Sequence, residues 1–412
     1  MPWNGGSTWR MRKGVAALDT EVHGRVHAAL EELTPRLVAL SLDLHAHPEL
    51  AMAEGHAQEV LTDALERGGF AVERGVGSLP TAFVGRAGKP PGPRVAILME
   101  YDALPGVGHA CGHNLIAAAG LGGALAARMA LGDEVRGEIW AMGTPGEEGE
   151  GGKITMLEEG AFQGVDAALM FHPGTHTWLV RHATASMHVT MRFYGKAAHA
   201  AASPELGRNA LTALLHTFVM VDALRQHMPE TARIHGIVVK GGEAPNIVPE
   251  YAEGAFLVRA LTSGAAQALW ERVRACAEGA ALAAGVRVEF ACGKMYAERK
   301  NNRVLAGIFG DYLAATGEEI EQPVLRGGTG SSDIGNVSLV LPAIHPYVAI
   351  APDGVAGHSR EFAEAARSGR GQEAMLHVAE ALAHATVDLL VHPELVEEAW
   401  ASFRATGPDL PQ

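Results

Sequence analysis

The sequence predicts an α/β protein with a mostly parallel sheet covered by helices, into which a smaller ferredoxin-like α+β domain is inserted. Short apolar runs bounded by glycine and proline alternate with helical stretches, as expected for strands buried on both faces of a parallel sheet. Half-exposed strands in the middle of the chain follow a β-α-β-β-α-β order, which is typical of a split-βαβ sandwich. The predicted boundaries are 1–185 and 298–412 for the two parts of the larger domain and 186–297 for the insertion.

The first part of the larger domain begins with a helix over residues 21–47. Its apolar residues recur at three- and four-residue spacing, and the pattern stops before Pro48. The elements that follow alternate between strand and helix. The predicted strands are 95–104, 137–145 and 165–173, and the predicted helices are 115–131, rich in small residues, and 152–162.

The insertion begins where apolar and polar residues alternate from residue 185 to residue 195. Its later elements are a helix over 205–224, strands over 234–242 and 252–261, a helix over 265–285 and a strand over 286–293. Cys276 and Cys292 fall in these patterns and are expected in the core. The larger domain then resumes with a helix, a loop over 326–338, a strand over 341–350 and a final helix ending near residue 391.

Composition excludes several classes of partner. The 412 residues carry a net charge of −14, with a pI of about 5.8, which argues against electrostatic binding to nucleic acid or anionic lipid. Three cysteines are too few for a disulfide framework. The N-terminus lacks the apolar segment of a signal peptide, and no run of about 18 apolar residues would span a membrane. We therefore expect a cytoplasmic protein.

Side chains that bind metals follow four of the predicted strands. They are Cys111 and His113 in GHACGHN, Glu147 and Glu148 in GTPGEEGEGG, His172 at the end of the third strand, and His358 in the loop after the strand over 341–350. The carboxyl ends of strands in an open α/β sheet meet at one crevice. This mixture of thiolate, imidazole and carboxylate suits zinc or a related transition metal. With one of the two glutamates counted as a ligand, the set has five ligands. Five exceed the need of one tetrahedral ion with an open position, so two ions sharing a ligand and a water are expected.

The paired glutamates suit metal-dependent hydrolysis. One carboxylate can bind metal while the other takes a proton from the activated water and passes it to a leaving amine. Taken singly, each motif has a simpler interpretation: a glycine turn, a solvated acidic loop or a polar residue at a strand end. Their shared position at strand ends favours a metal site. His176, His182 and His188 follow no such pattern and are not assigned a metal role.

With these residues, the sequence resembles the dinuclear-metal aminoacylase and carboxypeptidase family of metallopeptidases. It is most similar to the amidohydrolase branch, which includes hippurate, auxin-conjugate and aminobenzoyl-glutamate hydrolases and dipeptidase-like members. The similarity runs from LHAHPEL at residue 44 to GHSREF at residue 357, with YDALPG, GHACGHN, GTPGEEGEGG, FHPG, GKAAHAA, GGEAPNIVPE and GSSDIGNVS in family order. Asn114 and the GNVS segment favour the aminobenzoyl-glutamate and dipeptidase-like members.

The resemblance assigns roles to the metal-binding residues. It implies a zinc-exopeptidase-like catalytic domain with two divalent ions, zinc being expected and manganese or cobalt being alternatives. The implied ligands are Cys111, His113, Glu148, His172 and His358, and Glu147 becomes the general acid/base. Relatives in other branches carry a histidine–x–aspartate motif where this chain has Glu100, Tyr101 and Asp102. We expect Asp102 to orient a ligand and Glu100 not to bind metal, and Cys111 is the candidate for the bridging ligand.

The resemblance also assigns roles within the insertion, as a lid and dimerisation domain. His199 is implied to stabilise the oxyanion of the tetrahedral intermediate, often across a dimer interface. Asn246 and Arg259 are implied to hold a substrate carboxylate, which suits the bidentate donors of arginine. The implied backbone donors nearby are Gly328, Gly330 and Ser331.

The predicted function is therefore metal-dependent hydrolysis of an amide bond in an N-acyl amino acid, a dipeptide or an aminobenzoyl-glutamate-like substrate. The expected partners are a small amide substrate with a free carboxylate and a second copy of the chain, without nucleic acid or membrane. A hydrolase of a carbamoyl or other unusual amide would use the same scaffold. A non-catalytic metal-binding protein or a peptide-binding module is a further alternative, against which the intact Glu147 argues.

Overall fold

The computed structural model describes residues 17–132, 136–322 and 330–410, with side chains from Glu21 onward. Within these ranges, contacts divide the chain into two compact units. Unit 1 holds residues up to 182, from 299 to 322 and from 336 onward, and unit 2 holds residues 183–298 and 330–335. The predicted boundary at 185/186 lies three residues after the division at 182/183, and the predicted boundary at 297/298 lies one residue before the division at 298/299. The sequence assigned residues 330–335 to the larger domain, whereas their contacts group them with unit 2.

Helices and strands are numbered here in chain order. The helices are α1 Ala17–Ala46, α2 Gly55–Arg67, α3 His113–Leu131, α4 Gly152–Glu158, α5 Ala210–Arg225, α6 Ser263–Ala284, α7 Arg303–Ala315, α8 Ile334–Ser338, α9 Arg360–Arg367, α10 Gly369–Val391 and α11 Pro393–Ala405. The strands are β1 Ala71–Arg74, β2 Phe83–Met99, β3 Arg136–Gly143, β4 Ala167–Leu169, β5 His172–Gly174, β6 Ala185–Tyr194, β7 Arg233–Lys240, β8 Tyr251–Ala260, β9 Arg287–Tyr296, β10 Ala343–Ile344 and β11 Tyr347–Ala349.

Unit 1 is built around a five-stranded sheet of order β1-β2-β4-β10, with β3 also paired to β2. The pairs β2–β4 and β4–β10 are parallel, and Val95 to Met99 of β2 run parallel to Ile139 to Gly143 of β3. Strand β1 is antiparallel to β2, and β5 and β11 form a separate parallel pair. The predicted mostly parallel sheet with helices is confirmed.

Helix α3 packs in the core of unit 1 because its glycines allow close approach of neighbouring elements. A Cβ added at Gly122 would lie 2.7 Å from Cδ1 of Leu37, and one at Gly123 would lie 2.8 Å from Cβ of Leu382. These partners belong to α1 and α10. The small-residue composition that predicted a tightly packed helix therefore reflects contact on two sides.

Two helices of unit 1, α3 and α10, are long and apolar enough to cross a membrane by length and composition. In the most apolar window of each, 89% and 72% of the residues are buried within the protein. Their burial accounts for their apolar composition, since the core helix of a globular domain has the same character.

Unit 2 is a four-stranded antiparallel sheet of order β7-β8-β6-β9 packed against α5 and α6. Its elements follow the predicted β-α-β-β-α-β order. Buried and half-buried residues alternate along β8, and Phe193, Val258, Leu214 and Val273 are among the core residues between sheet and helices. Cys292 was expected in this core, but it is exposed on β9.

Several predicted elements have different limits in the structure. The predicted strand over 95–104 ends at Met99, and those over 165–173 and 341–350 are each divided into two short strands that pair in different sheets. An apolar run shows burial but does not show which strand will pair with it. The predicted helix over 205–224 begins at Ala210, where the side chain of Asn209 accepts a hydrogen bond from the Thr212 N–H at 3.0 Å and caps the helix.

Candidate metal centre

The predicted ligands of unit 1 form two groups that share Cys111. Cys111, His113 and His172 make one group, and Cys111, Glu148 and His358 make the other. The ligand atoms of each group all lie within 4.8 Å of one another. Sγ of Cys111 is 3.3 Å from Nε2 of His172 and 3.7 Å from Nε2 of His358. The thiol of Cys111 is therefore the ligand atom common to both groups.

Gly112 sets the turn that presents Cys111 and His113. It has a φ of +76° and forms the N-cap of α3, whose first residue is His113. A Cβ at Gly112 would lie 2.8 Å from Cγ of Pro173, so β5 comes against this turn as closely as a glycine permits. A backbone hydrogen bond from the His358 N–H to the Ala110 carbonyl, at 3.0 Å, attaches the loop that carries His358 to the same turn.

Asp102 connects two of the ligand loops. Its Oδ1 accepts from Nδ1–H of His113 at 3.0 Å, and its Oδ2 accepts from the backbone N–H of Glu148 at 2.9 Å. Burial disfavours the charge on Asp102, but His113 and these hydrogen bonds outweigh burial and lower the pKa of the carboxyl group. Burial likewise opposes protonation of His113, but Asp102 raises its pKa well above the ordinary value. The hydrogen bond at Nδ1 leaves Nε2 as the ring atom of His113 that is available to a cation.

His172 and His358 are presented in different ways. Nδ1–H of His172 donates to the Pro173 carbonyl at 2.6 Å, so its Nε2 faces Cys111. Burial, with a contribution from His113, lowers the pKa of His172 well below its ordinary value, which favours the neutral, metal-binding imidazole. His358 has a φ of +62°, which is rare outside glycine, and its Nε2 lies 3.5 Å from Oε1 of Glu148. Such backbone strain is typical of functional sites.

Glu147 and Glu148 differ in the groups they contact. Both carboxylates, with His113, belong to a further set of ligand atoms within 4.8 Å of one another, but Glu148 also joins the group of Cys111 and His358. Glu147 is buried, with 7% of its surface exposed. Glu147 is therefore a buried carboxylate beside His113 and Glu148 that belongs to neither of the groups sharing Cys111.

The donor set fits divalent transition metals. Nε2 of His113 and Oε1 of Glu148 are buried and accept or donate no hydrogen bond within the described part of the chain. Burial, followed by the charge of Glu148, raises the pKa of the Cys111 thiol. Imidazole, carboxylate and thiol groups are the donors that zinc and its neighbours bind, and two of the atoms in this set, Nε2 of His113 and Oε1 of Glu148, are buried without a hydrogen bond of their own among the described residues.

A buried ion pair between Lys153 and Glu100, which the sequence did not predict, lies next to His113. Nζ of Lys153 lies 2.5 Å from Oε1 of Glu100, and both side chains are fully buried. Oε2 of Glu100 is 3.6 Å from Nε2 of His113. Glu100 is the residue that the sequence excluded as a ligand, and Lys153 compensates its charge. A lysine among the buried positions of α4 was the available sequence signal.

Unit 2 holds the remaining predicted residues. Nδ1 of His199 accepts hydrogen bonds from the backbone N–H groups of Ala201 and Ala202, at 3.3 and 3.0 Å, so the ring proton lies on the exposed Nε2. The Asn246 carbonyl accepts from the Ala200 N–H at 3.0 Å, and Ile247 bridges to His199. Asn246 is therefore next to His199 and is also exposed.

Arg259 and Ser331 meet elsewhere in unit 2. Nη1–H of Arg259 donates to Oγ of Ser331 at 3.0 Å, and Ser331 donates to the Thr184 carbonyl at 2.5 Å. The Thr184 N–H contacts the Gly330 carbonyl at 3.4 Å. Burial lowers the pKa of Arg259. Gly328, the remaining predicted residue, lies outside the described residues.

The comparisons with known proteins agree with this architecture. Residues 181–284 match the peptidase dimerisation domain. The chain is 39% identical to the mouse Xaa-Arg dipeptidase, covering 92% of this chain and 91% of that protein. It is 31% identical to a component of the p-aminobenzoyl-glutamate hydrolase of Escherichia coli, covering 92% of this chain and 94% of that protein.

A solved structure shares the fold. A dinuclear metal-binding peptidase of the M20 family from Bacillus subtilis superposes with a TM-score of 0.64 at 22% identity, covering 88% of this chain and 99% of that one. The curated relatives, matched over nearly their full lengths, confirm the resemblance inferred from the motifs. The chain therefore belongs to the M20 family of dinuclear-metal aminoacylases and carboxypeptidases, and it is a hydrolase of amide bonds.

Proposed function

We propose that this enzyme hydrolyses the amide bond of dipeptides or N-acyl amino acids that carry a free carboxylate. The observation that carries the proposal is the sharing of Cys111 between two ligand groups next to the buried Glu147. The cations would be held by Cys111, His113, Glu148, His172 and His358. The nitrogen and sulfur donors favour zinc, with manganese or cobalt as alternatives.

When bound, the two cations would polarise the substrate carbonyl and lower the pKa of a water to about 7. We assign the proton transfers to Glu147. Its carboxylate takes a proton from the water as the water oxygen bonds to the carbonyl carbon, and it delivers that proton to the amine nitrogen as the carbon–nitrogen bond breaks. The exposed Nε2–H of His199 is the donor we assign to the oxyanion that forms on the carbonyl oxygen.

The substrate we propose carries its carboxylate on the amine portion. The guanidinium of Arg259, aligned by Ser331, has the donor geometry for a carboxylate, and the Asn246 amide is a second candidate donor. The Xaa-Arg dipeptidase relative supports dipeptides with a basic residue on the carboxyl side as the first substrates to test. A net charge of −14 would favour the approach of a cationic substrate. Aminobenzoyl-glutamate is the second class to test.

We further propose a homodimer formed through unit 2. The match of residues 181–284 to the peptidase dimerisation domain supports this assembly. Strand β7 lies at one edge of the unit 2 sheet, where Ile237, Val238 and Val239 are 65%, 44% and 53% exposed. An exposed apolar edge strand favours pairing with another copy. The three free cysteines are consistent with a cytoplasmic enzyme.

The test is amine release from a panel of substrates by the full chain after reconstitution with zinc, manganese or cobalt. The panel contains dipeptides with carboxyl-terminal arginine or lysine, neutral and acidic dipeptides, N-acyl amino acids and aminobenzoyl-glutamate. Glu147→Gln provides the inactive control, since it keeps the shape of the side chain and removes the base.

We expect metal-dependent turnover that Glu147→Gln abolishes, with the basic dipeptides as the best substrates. Turnover of carbamoyl amides alone would assign the enzyme to the alternative substrate class. A chain that binds at least two cations per molecule but hydrolyses no member of the panel would contradict the proposal.

A further inference from the structure

A further cluster of side chains that could bind a metal ion lies in unit 1, outside the candidate metal centre. Asp43 is in the last turn of α1, His47 follows that helix, and His56 is in the first turn of α2. Their ligand atoms all lie within 4.8 Å of one another. We call these three residues the α1–α2 cluster.

The carboxylate of Asp43 lies between the two imidazoles. Its Oδ2 is 2.7 Å from Nε2 of His56, and its Oδ1 is 3.1 Å from Nδ1 of His47. Two ligands bound to one zinc ion at about 2.0–2.1 Å lie roughly 2.9–3.4 Å apart, depending on the coordination angle. The Asp43–His47 separation of 3.1 Å lies within this range, and the Asp43–His56 separation of 2.7 Å would lengthen by a few tenths of an ångström around a shared cation.

Neighbouring backbone contacts hold the cluster in place. Oε1 and Oε2 of Glu49 each accept a backbone N–H at 2.9 Å, from His56 and Ala57, and so secure the first turn of α2. The backbone N–H of His47 donates to the Asp43 carbonyl at 3.0 Å, which keeps this residue at the end of α1. Without a cation, Nδ1–H of His47 donates to the same carbonyl at 2.9 Å, and a cation bound at Nδ1 would take the place of that proton. The ligand side chains therefore come from a helix end and a helix start rather than from a free loop.

We propose that the α1–α2 cluster is a third divalent-cation site, with affinity for zinc, nickel or copper. Two imidazole nitrogens are borderline donors, and together with one carboxylate they suit these ions better than magnesium or calcium, which prefer oxygen ligands alone. The side chains are 39%, 61% and 36% exposed for Asp43, His47 and His56, so a bound ion would complete its coordination with water. This site does not depend on the proposed hydrolytic function.

A cation in this site would connect the end of α1 to the start of α2. Because its ligands come from two helices, the ion binds the folded chain more tightly than the unfolded one and raises the melting temperature. With only three protein ligands and open solvent access, the site should exchange its ion more readily than the buried centre.

The test is zinc bound per chain, measured by equilibrium dialysis and elemental analysis on the full-length protein. Asp43→Asn and His56→Gln remove ligands of the α1–α2 cluster. His27→Gln is the matched control, because His27 is also exposed and also pairs with a carboxylate, Glu380 at 3.1 Å, yet it belongs to no ligand group found among the described residues. We expect one zinc fewer per chain in each cluster variant, no change in His27→Gln, and unchanged amide hydrolysis in all three.

A double variant, Cys111→Ser with Glu148→Gln, separates this site from the catalytic centre. It should lose the cations of that centre and keep one zinc, and its melting temperature should rise with nickel unless Asp43→Asn is added. Equal zinc content in wild type, Asp43→Asn and His56→Gln would overturn the third site and leave the proposed function intact. Loss of hydrolysis without loss of zinc in the cluster variants would also contradict it.

Discussion

Oδ1 of Asp102 lies 3.0 Å from Nδ1 of His113, and both side chains are fully buried. This contact orients the imidazole so that Nε2 is directed to the ligand group of Cys111 and His172. The other oxygen of the same carboxylate holds the backbone of Glu148. Asp102, which is not assigned as a metal ligand, therefore positions His113 and Glu148, which are assigned as ligands.

Replacing Asp102 with asparagine should weaken metal binding. We expect zinc affinity to fall on the order of 10- to 100-fold, because the amide cannot hold the imidazole as a carboxylate does. Zinc competition with a chromogenic chelator measures this affinity. Activity at saturating zinc should largely return, and an affinity equal to that of wild type would show that Asp102 has no positioning role.

Replacing Glu147 with glutamine should remove catalysis without removing metal. We expect kcat to fall on the order of 10²- to 10⁴-fold, the usual contribution of a positioned general base. Glu150 is in the same loop and exposed, so Glu150→Gln is the matched control and should keep full activity. Loss of bound metal in Glu147→Gln would instead identify Glu147 as a ligand.

Gly112 and Gly106 allow a direct test of the close contact with β5. Both have a φ of +76°, but a Cβ at Gly106 meets nothing within 4 Å, whereas one at Gly112 would reach Pro173. Each alanine variant should lose roughly 1–2 kcal/mol through the left-handed backbone. Gly112→Ala should lose about 1–3 kcal/mol more through overpacking and should also bind zinc more weakly.

Urea denaturation of the two alanine variants measures this difference. Equal losses of unfolding free energy in Gly106→Ala and Gly112→Ala would show that backbone conformation, rather than the Pro173 contact, explains the glycine in GHACGHN.

Glu318 should make stability depend on acid pH. Arg370 binds both of its carboxylate oxygens, and His377 lies 2.8 Å from Oε1. Burial opposes the charge, but these hydrogen bonds lower the pKa of Glu318 from 4.5 to about 2. A depressed pKa contributes stability that is complete above the unfolded value and is lost as the pH falls through the folded one.

The free energy of unfolding of wild type should therefore exceed that of Glu318→Gln by on the order of 2–3 kcal/mol at neutral pH. The difference in unfolding free energy should shrink as the pH falls from about 4.5 towards 2. Glu319→Gln, an exposed neighbour, controls for general charge effects. A difference between wild type and Glu318→Gln that does not change with pH would refute the assignment.

Replacing Arg259 with glutamine should affect only substrates with a free carboxylate. We expect KM for them to rise about 10- to 100-fold, since hydrogen bonds to charged groups contribute roughly 1.5–3 kcal/mol. The matching carboxamides should show no such change. Arg192→Gln, on the adjacent strand and paired with Glu253, is the control. Equal effects on carboxylates and carboxamides would argue that Arg259 supports the fold of unit 2 instead.

The sequence alone predicted the fold class, the β-α-β-β-α-β order of the insertion and the family. Periodicity reports burial at each position, and short motifs in a fixed order identify a family even when their spatial arrangement is unknown. The sequence also indicated which residues could bind metal, because Cys111, His172 and His358 each follow or end an apolar run that predicts a strand.

The tertiary structure decided which atoms meet. The thiol of Cys111 belongs to both ligand groups only because Gly112 turns the chain against Pro173 and His358 folds back onto Ala110. The predicted strand over 165–173 divides in two because its halves pair with different strands.

The α1–α2 cluster likewise depends on how α2 packs after α1. No local pattern marks Asp43, His47 and His56 as neighbours, since they come from the last turn of α1, the residue just after α1 and the first turn of α2. Sequence determines local conformation and burial through interactions over a few residues. Distances of about 3 Å between ligand atoms are set by the packing of distant segments, which only the folded chain defines.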